Sequence, residues 1–178
     1  FFFNDTETTE IYKSLIVGSE DVYNRQIEKL HILFANSGIE KGDKIALCGR
    51  NSSNWAVAFL ATLAYGAVAV PIQNEFTPDQ IYNIVNHSEA RLLFVGDVVA
   101  TQIDVSQMPA LEGGFYLPDF SLTLSRSEQL TYAREHLNEM FGSKFPKFFR
   151  REHVAYHHGD AEDVALINYT SGTTGFSK

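Results

Sequence analysis

The sequence predicts an α/β fold, a doubly wound and mostly parallel sheet with helices on its faces. Three observations carry this: short apolar runs bounded by glycine, segments with apolar residues at helical spacing between them, and connections of only a few residues. Strand, helix, strand, helix, strand with brief links is the pattern of right-handed parallel crossovers.

The elements follow in order. Tyr23, Ile27, Leu30 and Phe34 recur at helical spacing from Val22, and Gly38 supplies a stop. Gly42 and Asp43 turn the chain into a buried strand, Ile45 to Cys48, closed by Gly49. Asn51, Ser52 and Ser53 are candidate caps for a deeply packed helix that runs to Gly66. A second buried strand, Ala67 to Val70, precedes a helix with Thr77 as cap, Pro78 at its first position, and Ile81, Ile84 and Val85 facing inward. Leu92 to Val95 is a third strand. "LEGGFYLPD" reads as a turn-rich patch, and a helix is expected from Glu128 to Phe141, with Leu130, Ala133, Leu137 and Met140 on one side. "HHGDAED" reads as a solvated linker into a fourth buried strand, Val164 to Asn168.

With 178 residues, 44% hydrophobic and 20% charged, the chain has the composition of one globular core, so residues 1–178 are read as a single α/β unit. The formal charge of -8 and the absence of a basic run that could track a phosphate backbone argue against a nucleic-acid partner. A single cysteine, Cys48, in an apolar run fits a reducing, cytoplasmic setting. No apolar stretch reaches the ~20 residues of a transmembrane helix, and the opening "FFF" lacks the basic flank and length of a signal peptide. The start without Met and the stop inside a motif read as a fragment, whose cut apolar surface would favour self-association.

The motif is "INYTSGTTGFSK", Ile167 to Lys178. It lies at the expected carboxyl end of a strand, the edge where open α/β sheets bind ligands. Gly172 and Gly175 let the backbone approach a polyanion and aim N–H groups at it. The hydroxyls of Thr170, Ser171, Thr173 and Thr174 add rotatable donors, and Lys178 adds a positive charge. With no Lys or Arg between Glu152 and Ser177, a phosphate grip here depends on neutral donors and a metal ion. The acidic trio Asp160, Glu162 and Asp163 does not forbid an anion: eight residues of strand span about 26 Å, beyond the ~8 Å screening length. A Walker A loop is excluded because it needs a Gly-Lys pair after four intervening residues, and five positions after Gly172 stands Ser177, not glycine. The bland alternative is a flexible Ser/Gly turn.

"YTSGTTG" followed by a lysine three residues on resembles the phosphate-binding signature of the adenylate-forming superfamily, which includes acyl-CoA synthetases, luciferases and peptide-synthetase adenylation domains. "GIEKGDKIALCGRNSSNWAVAFLATLAYGAVAVPI" and "FTPDQIYNIVNHSEARLLFVGD" are similar to that family's early region, in the same order and spacing. The similarity runs from about Asp21 to Asp97 and again from Asp163 to Lys178. The fold it implies is the N-terminal portion of the family's large domain. The site it implies is Thr170, Ser171, Gly172, Thr173, Thr174, Gly175 and Lys178 on the ATP phosphates, with the Thr170 hydroxyl helping to place Mg²⁺. The family usually has proline before that lysine; Ser177 here leaves the turn freer.

The activity implied has two halves. A carboxylic acid reacts with ATP to give an acyl-adenylate, then coenzyme A takes the acyl group; the likeness is greatest to fatty-acid CoA ligases. The resemblance assigns no catalytic side chain within this chain, and the cut chain alone is expected to be inactive. The alternatives are an adenylation domain serving a carrier protein, or a non-catalytic α/β nucleotide-binding or interaction module.

Other residues invite competing readings. His153, His157 and His158 near Asp160 have a metal-like look, but the solvated connector is the preferred account. Trp55, Phe59 and Tyr65 are read as core packing, Glu112 and Asp119 as solvated acids, and Cys48 as a buried thiol without a base.

Overall fold

Alternation along the strands builds the two faces of the sheet. Ile45, Leu47, Leu92, Phe94 and Phe115 point to one side, while Ala46, Cys48, Val70, Ile72, Leu93 and Val95 point to the other. All are buried, as parallel strands covered on both faces require. The structure, a computed structural model, describes residues 22–154, 157, 159, 160 and 162–170.

Helix α1, residues 22–36, turns Ile27, Leu30, Leu33 and Phe34 inward. Strand β1 (Lys44–Cys48), helix α2 (Ser53–Tyr65), strand β2 (Val68–Ile72), helix α3 (Pro78–Ser88) and strand β3 (Leu92–Val95) follow as expected. The Ser52 side chain caps α2 by accepting from Trp55 N–H, and Thr77 with Gln80 forms a capping box on α3 behind Pro78. The chain leaves α2 through Gly66 at φ 88, a left-handed position at which an added Cβ would also sit 2.8 Å from the His157 ring. Helix α4 (Asp97–Ala100) then leads to strands β4 (Gly113–Tyr116) and β5 (Ser121–Ser125) and helices α5 (Glu128–Glu135) and α6 (Leu137–Lys144).

Strand order is β2-β1-β3-β4-β5, with the first four parallel and β5 antiparallel to β4. The chain adds β2 on one side of β1 and β3 on the other, which makes β1/β3 the topological switch point. Right-handed crossovers in opposite directions put α2 and α3 on opposite faces. Accordingly α1, α2 and α5 cover one face, and α3, α4 and Tyr169 the other. Phe34, Phe94 and Phe115 are fully buried in the first layer, each contributing about 2–3 kcal/mol by leaving water.

Three expectations change. The patch read as turns contains β4: Gly113 and Gly114 pair with Leu92 and Leu93 in a regular parallel ladder. Glycine is needed there for space, since a Cβ on Gly113 would come within 2.2 Å of Leu130 Cδ2. The helix expected from Glu128 to Phe141 is two helices meeting at His136. The first packs Leu130 and Ala133 on the sheet, and the second turns Phe141 into a separate cluster with Ile32 and Phe149. Finally, Val164 to Asn168 is not a buried strand. It makes one parallel bridge, Leu166 to Ala69, and Val164 and Leu166 are 62% and 46% exposed. The reason lies in β2: Ala69 donates to Ala165 O and accepts from Ile167 N, and the next residue facing that way, Pro71, has no N–H to give.

Candidate functional site

The residues singled out for phosphate binding divide sharply. Ser171, Gly172, Thr173, Thr174, Gly175 and Lys178 lie outside the described residues, and Thr170 is exposed in irregular backbone. What the structure does define is the root of the loop. The bridge at Leu166 sets residues 165–167 running in the direction of β2, toward the carboxyl edge of the sheet. Tyr169 then folds onto the α3 face, 6% exposed, with its hydroxyl 2.7 Å from His87 Nδ1 and its ring edge-on to the imidazole. Burial raises the Tyr169 pKa, so the phenol stays protonated and available as a donor. This anchor holds the residue immediately before Thr170. It joins positions 82 apart in sequence, so no local pattern signals it.

The carboxyl edge also carries a cleft at the switch point. Gly49 and Gly96 follow β1 and β3 and approach so closely that a Cβ on Gly49 would lie 3.2 Å from Gly96 Cα. Gly96 N–H donates to Cys48 O, fastening the two turns. Beside them opens a cleft of about 470 Å³ lined by Arg50, Ser52, Ser53, Asn54, Asp97 and Leu117 among others. Asn54 donates to the carbonyls of Leu117 and Pro118, which fixes its far wall, and Arg50 has no ion pair among the described residues. Cys48 lies beneath, its thiol pushed up to about 12 by burial and by Glu75, so it is inert at neutral pH.

The opposite, amino edge is closed by charge pairs. Arg91, just before β3, reaches Glu112 before β4 through two hydrogen bonds of 2.8 and 2.9 Å, and Asp43 before β1 through a third. Glu112 is thus a structural anchor and not a solvated acid. Asp119 instead caps the turn into β5 by accepting from Ser121 N–H, and hydrogen bonding with the Ser121 side chain and then its N–H holds its carboxyl below the usual range. The connector before the last segment is likewise tied down: Asp163 pairs with Lys41 at 2.7 Å and accepts from Asp160 N–H. His157 packs against Gly66, and His153 bonds to the Arg150 backbone. Among the described residues no group of three His, Cys, Asp or Glu is placed to hold a metal; His158 lies outside them. Trp55 and Phe59 stack on α2 against the core, and Tyr65 donates to Ile39 O, as core residues do.

A model of the AMP-binding enzyme family matches residues 23–178, nearly all of this architecture and the loop motif with it. The chain belongs to the AMP-binding enzyme family. It is 26% identical over 158 residues to long chain acyl-CoA synthetase 3 of Arabidopsis thaliana, a match covering 86% of this chain and 24% of that protein. It is also 26% identical over 156 residues to nonribosomal peptide synthetase NPS2 of Ceriporiopsis subvermispora, covering 88% of this chain and 5% of that one. Among solved structures, anthranilate CoA ligase AuaEII in complex with anthranoyl-AMP superposes with a TM-score of 0.65 at 20% identity, over 87% of this chain and 27% of that chain. At that identity the likeness shows the shared fold. The chain therefore spans about a quarter of the length of these acyl-CoA ligases. No helix among the described residues is long and apolar enough to cross a membrane.

Proposed function

We propose that this chain is the N-terminal part of an ATP-dependent carboxylic acid ligase, a single α/β unit over residues 1–178 that supplies the phosphate-binding wall of the active site. The observation that carries the reading is that the family match runs to residue 178 and so contains the hydroxyl- and glycine-rich loop. In the reaction proposed, a carboxylate oxygen attacks the α-phosphorus of ATP and the bond to the β-phosphate breaks, releasing pyrophosphate. A thiol sulfur, that of coenzyme A, then attacks the acyl carbon; AMP leaves with its phosphate oxygen and the thiol proton passes to solvent.

The work of this chain is electrostatic. Backbone N–H groups around Gly172 and Gly175, the hydroxyls of Ser171, Thr173 and Thr174, and the Lys178 ammonium hold the β- and γ-phosphates and meet the charge growing on pyrophosphate. The His87–Tyr169 anchor gives the loop a fixed root. Magnesium fits this site only as a companion of ATP. Thr170 is an exposed oxygen donor, and the described residues offer no carboxylate cluster, so the phosphates would supply most of the coordination. Bound there, the ion neutralises phosphate charge.

A fatty acid is the substrate proposed, supported by the similarity to long chain acyl-CoA synthetase 3. The similarity to a nonribosomal peptide synthetase favours a second reading, an adenylation domain that passes its acyl group to a carrier protein. A cytoplasmic setting belongs to the same proposal and is supported by the single, buried Cys48. Because the chain spans about a quarter of its acyl-CoA ligase relatives, turnover is assigned to the longer protein and not to these 178 residues alone. The test is carboxylate-dependent exchange of pyrophosphate into ATP by the longer protein, across fatty, aromatic and amino acids, followed by capture on coenzyme A or a carrier protein. Fatty-acid-dependent exchange with capture on coenzyme A is expected. Capture on the carrier alone selects the second reading, and no exchange with any acid leaves a non-catalytic module.

A further inference from the structure

An acidic chain carries one strongly basic, aromatic segment. Residues 144–151, KFPKFFRR, hold four cations, three phenylalanines and no acid, in a protein of net charge -8. The fold sets this segment against α1. Phe141 and Phe149 are buried with Ile32, and Phe145 packs against them. Their rings form a platform for cations: Arg25 lies 5.8 Å and Lys29 5.6 Å from the Phe141 ring centre, and Lys144 lies 4.9 Å from that of Phe145. Glu28, the acid on this side of α1, is fully buried beneath, in contact with Lys144 and His31. A cleft of about 600 Å³ runs between Val22 and Phe148, with Arg25, Lys29, Lys147 and Arg150 along it. Phe148 does not join the platform. It is 77% exposed, flanked by Lys147 and Arg150, while Val22 across the cleft is 54% exposed.

We infer that this face docks on an anionic lipid surface, with Phe148 entering the headgroup boundary and Arg25, Lys29, Lys147 and Arg150 meeting lipid phosphates. Charge complementarity selects the occupant, and the exposed ring refines it. An acidic protein would engage the cations but has no need of a bare phenyl at their centre, whereas a bilayer interface takes an apolar ring and surrounding cations together. The cations also crowd one another: burial lowers the Lys29 pKa, and Arg25 and Arg134 push in the same direction, a strain that anionic headgroups relieve. The remainder of the acidic surface is repelled by the same membrane, which fixes orientation. The inference does not depend on the ligase reading, and its test involves no nucleotide.

The experiment is co-sedimentation of the chain with phosphatidylcholine vesicles, with and without phosphatidylserine. Binding is expected only with phosphatidylserine, weakening as salt rises. Phe148→Ser should weaken it about tenfold or more, and Lys147→Gln with Arg150→Gln by about 25-fold. Lys41→Gln, away from the patch, should leave it unchanged, and circular dichroism should show all variants folded, since these side chains are exposed. Equal binding to neutral vesicles, no binding to phosphatidylserine, or a Phe148→Ser variant that binds like the parent while polyglutamate competes it off, would each overturn the inference; the last would point to an acidic protein.

Discussion

The two edges of the sheet use polar residues in opposite ways. At the amino edge, charged side chains are spent on one another: Arg91 joins the chain before β1, β3 and β4 through Asp43 and Glu112, also donates to Gly38 O, and Lys41 holds Asp163 ahead of the final segment. At the carboxyl edge, glycines bring turns together, Arg50 has no ion pair among the described residues, hydroxyl-bearing residues line an open cleft, and the hydroxyl- and glycine-rich motif follows an anchored tyrosine. The difference teaches that the amino edge is built for stability, while the carboxyl edge is left open on the side where parallel α/β sheets in general bind ligands.

The comparison is broken most directly at Arg91. Arg91→Met removes a two-toothed bond to Glu112 and leaves Asp43 and Glu112 without their cation. The cluster is about a quarter to a third exposed, so screening reduces the loss. The expected destabilisation is about 2 kcal/mol, or a melting temperature lower by about 5 °C. A melting temperature within error of the parent would remove the amino edge's structural role.

A smaller, pH-dependent effect comes from Asp163. Its hydrogen bond to Lys41 holds the carboxyl below the usual aspartate range. A depressed folded value means that the stabilisation is present above the unfolded aspartate pKa and is lost as pH falls through the folded one. The bridge between Ala69 and Leu166 should therefore lose amide-exchange protection in acid, and Lys41→Met should lower that protection near neutral pH and flatten its acid dependence. An identical acid profile in parent and variant would show that the pair does not hold the segment.

Legibility followed the range of the interactions. The helix caps at Ser52 and Thr77, the strand at Leu92 to Val95 and the stop at Gly66 rest on neighbours within a few residues, and they were readable. β4 was not, because Gly113 answers to Leu130, seventeen positions on, and a glycine pair alone reads as a turn. The exposed course of Val164 to Asn168 is not legible because the defect in its partner strand, Pro71, stands far away in sequence. At the candidate site the motif and its family were legible from residue order, while the His87–Tyr169 anchor and the Arg91 cluster needed the folded chain. Cys48 was legible both as a buried thiol and as an unreactive one.

The central claim is that the chemistry belongs to the loop at the carboxyl edge. It is tested most directly by Thr173→Val with Thr174→Val in the longer protein, measuring carboxylate-dependent exchange of pyrophosphate into ATP per folded molecule. Each hydroxyl that meets developing charge is worth roughly 3 kcal/mol, so exchange should fall by at least about a hundredfold while the melting temperature stays put. An unchanged exchange rate in a folded double variant would contradict the account.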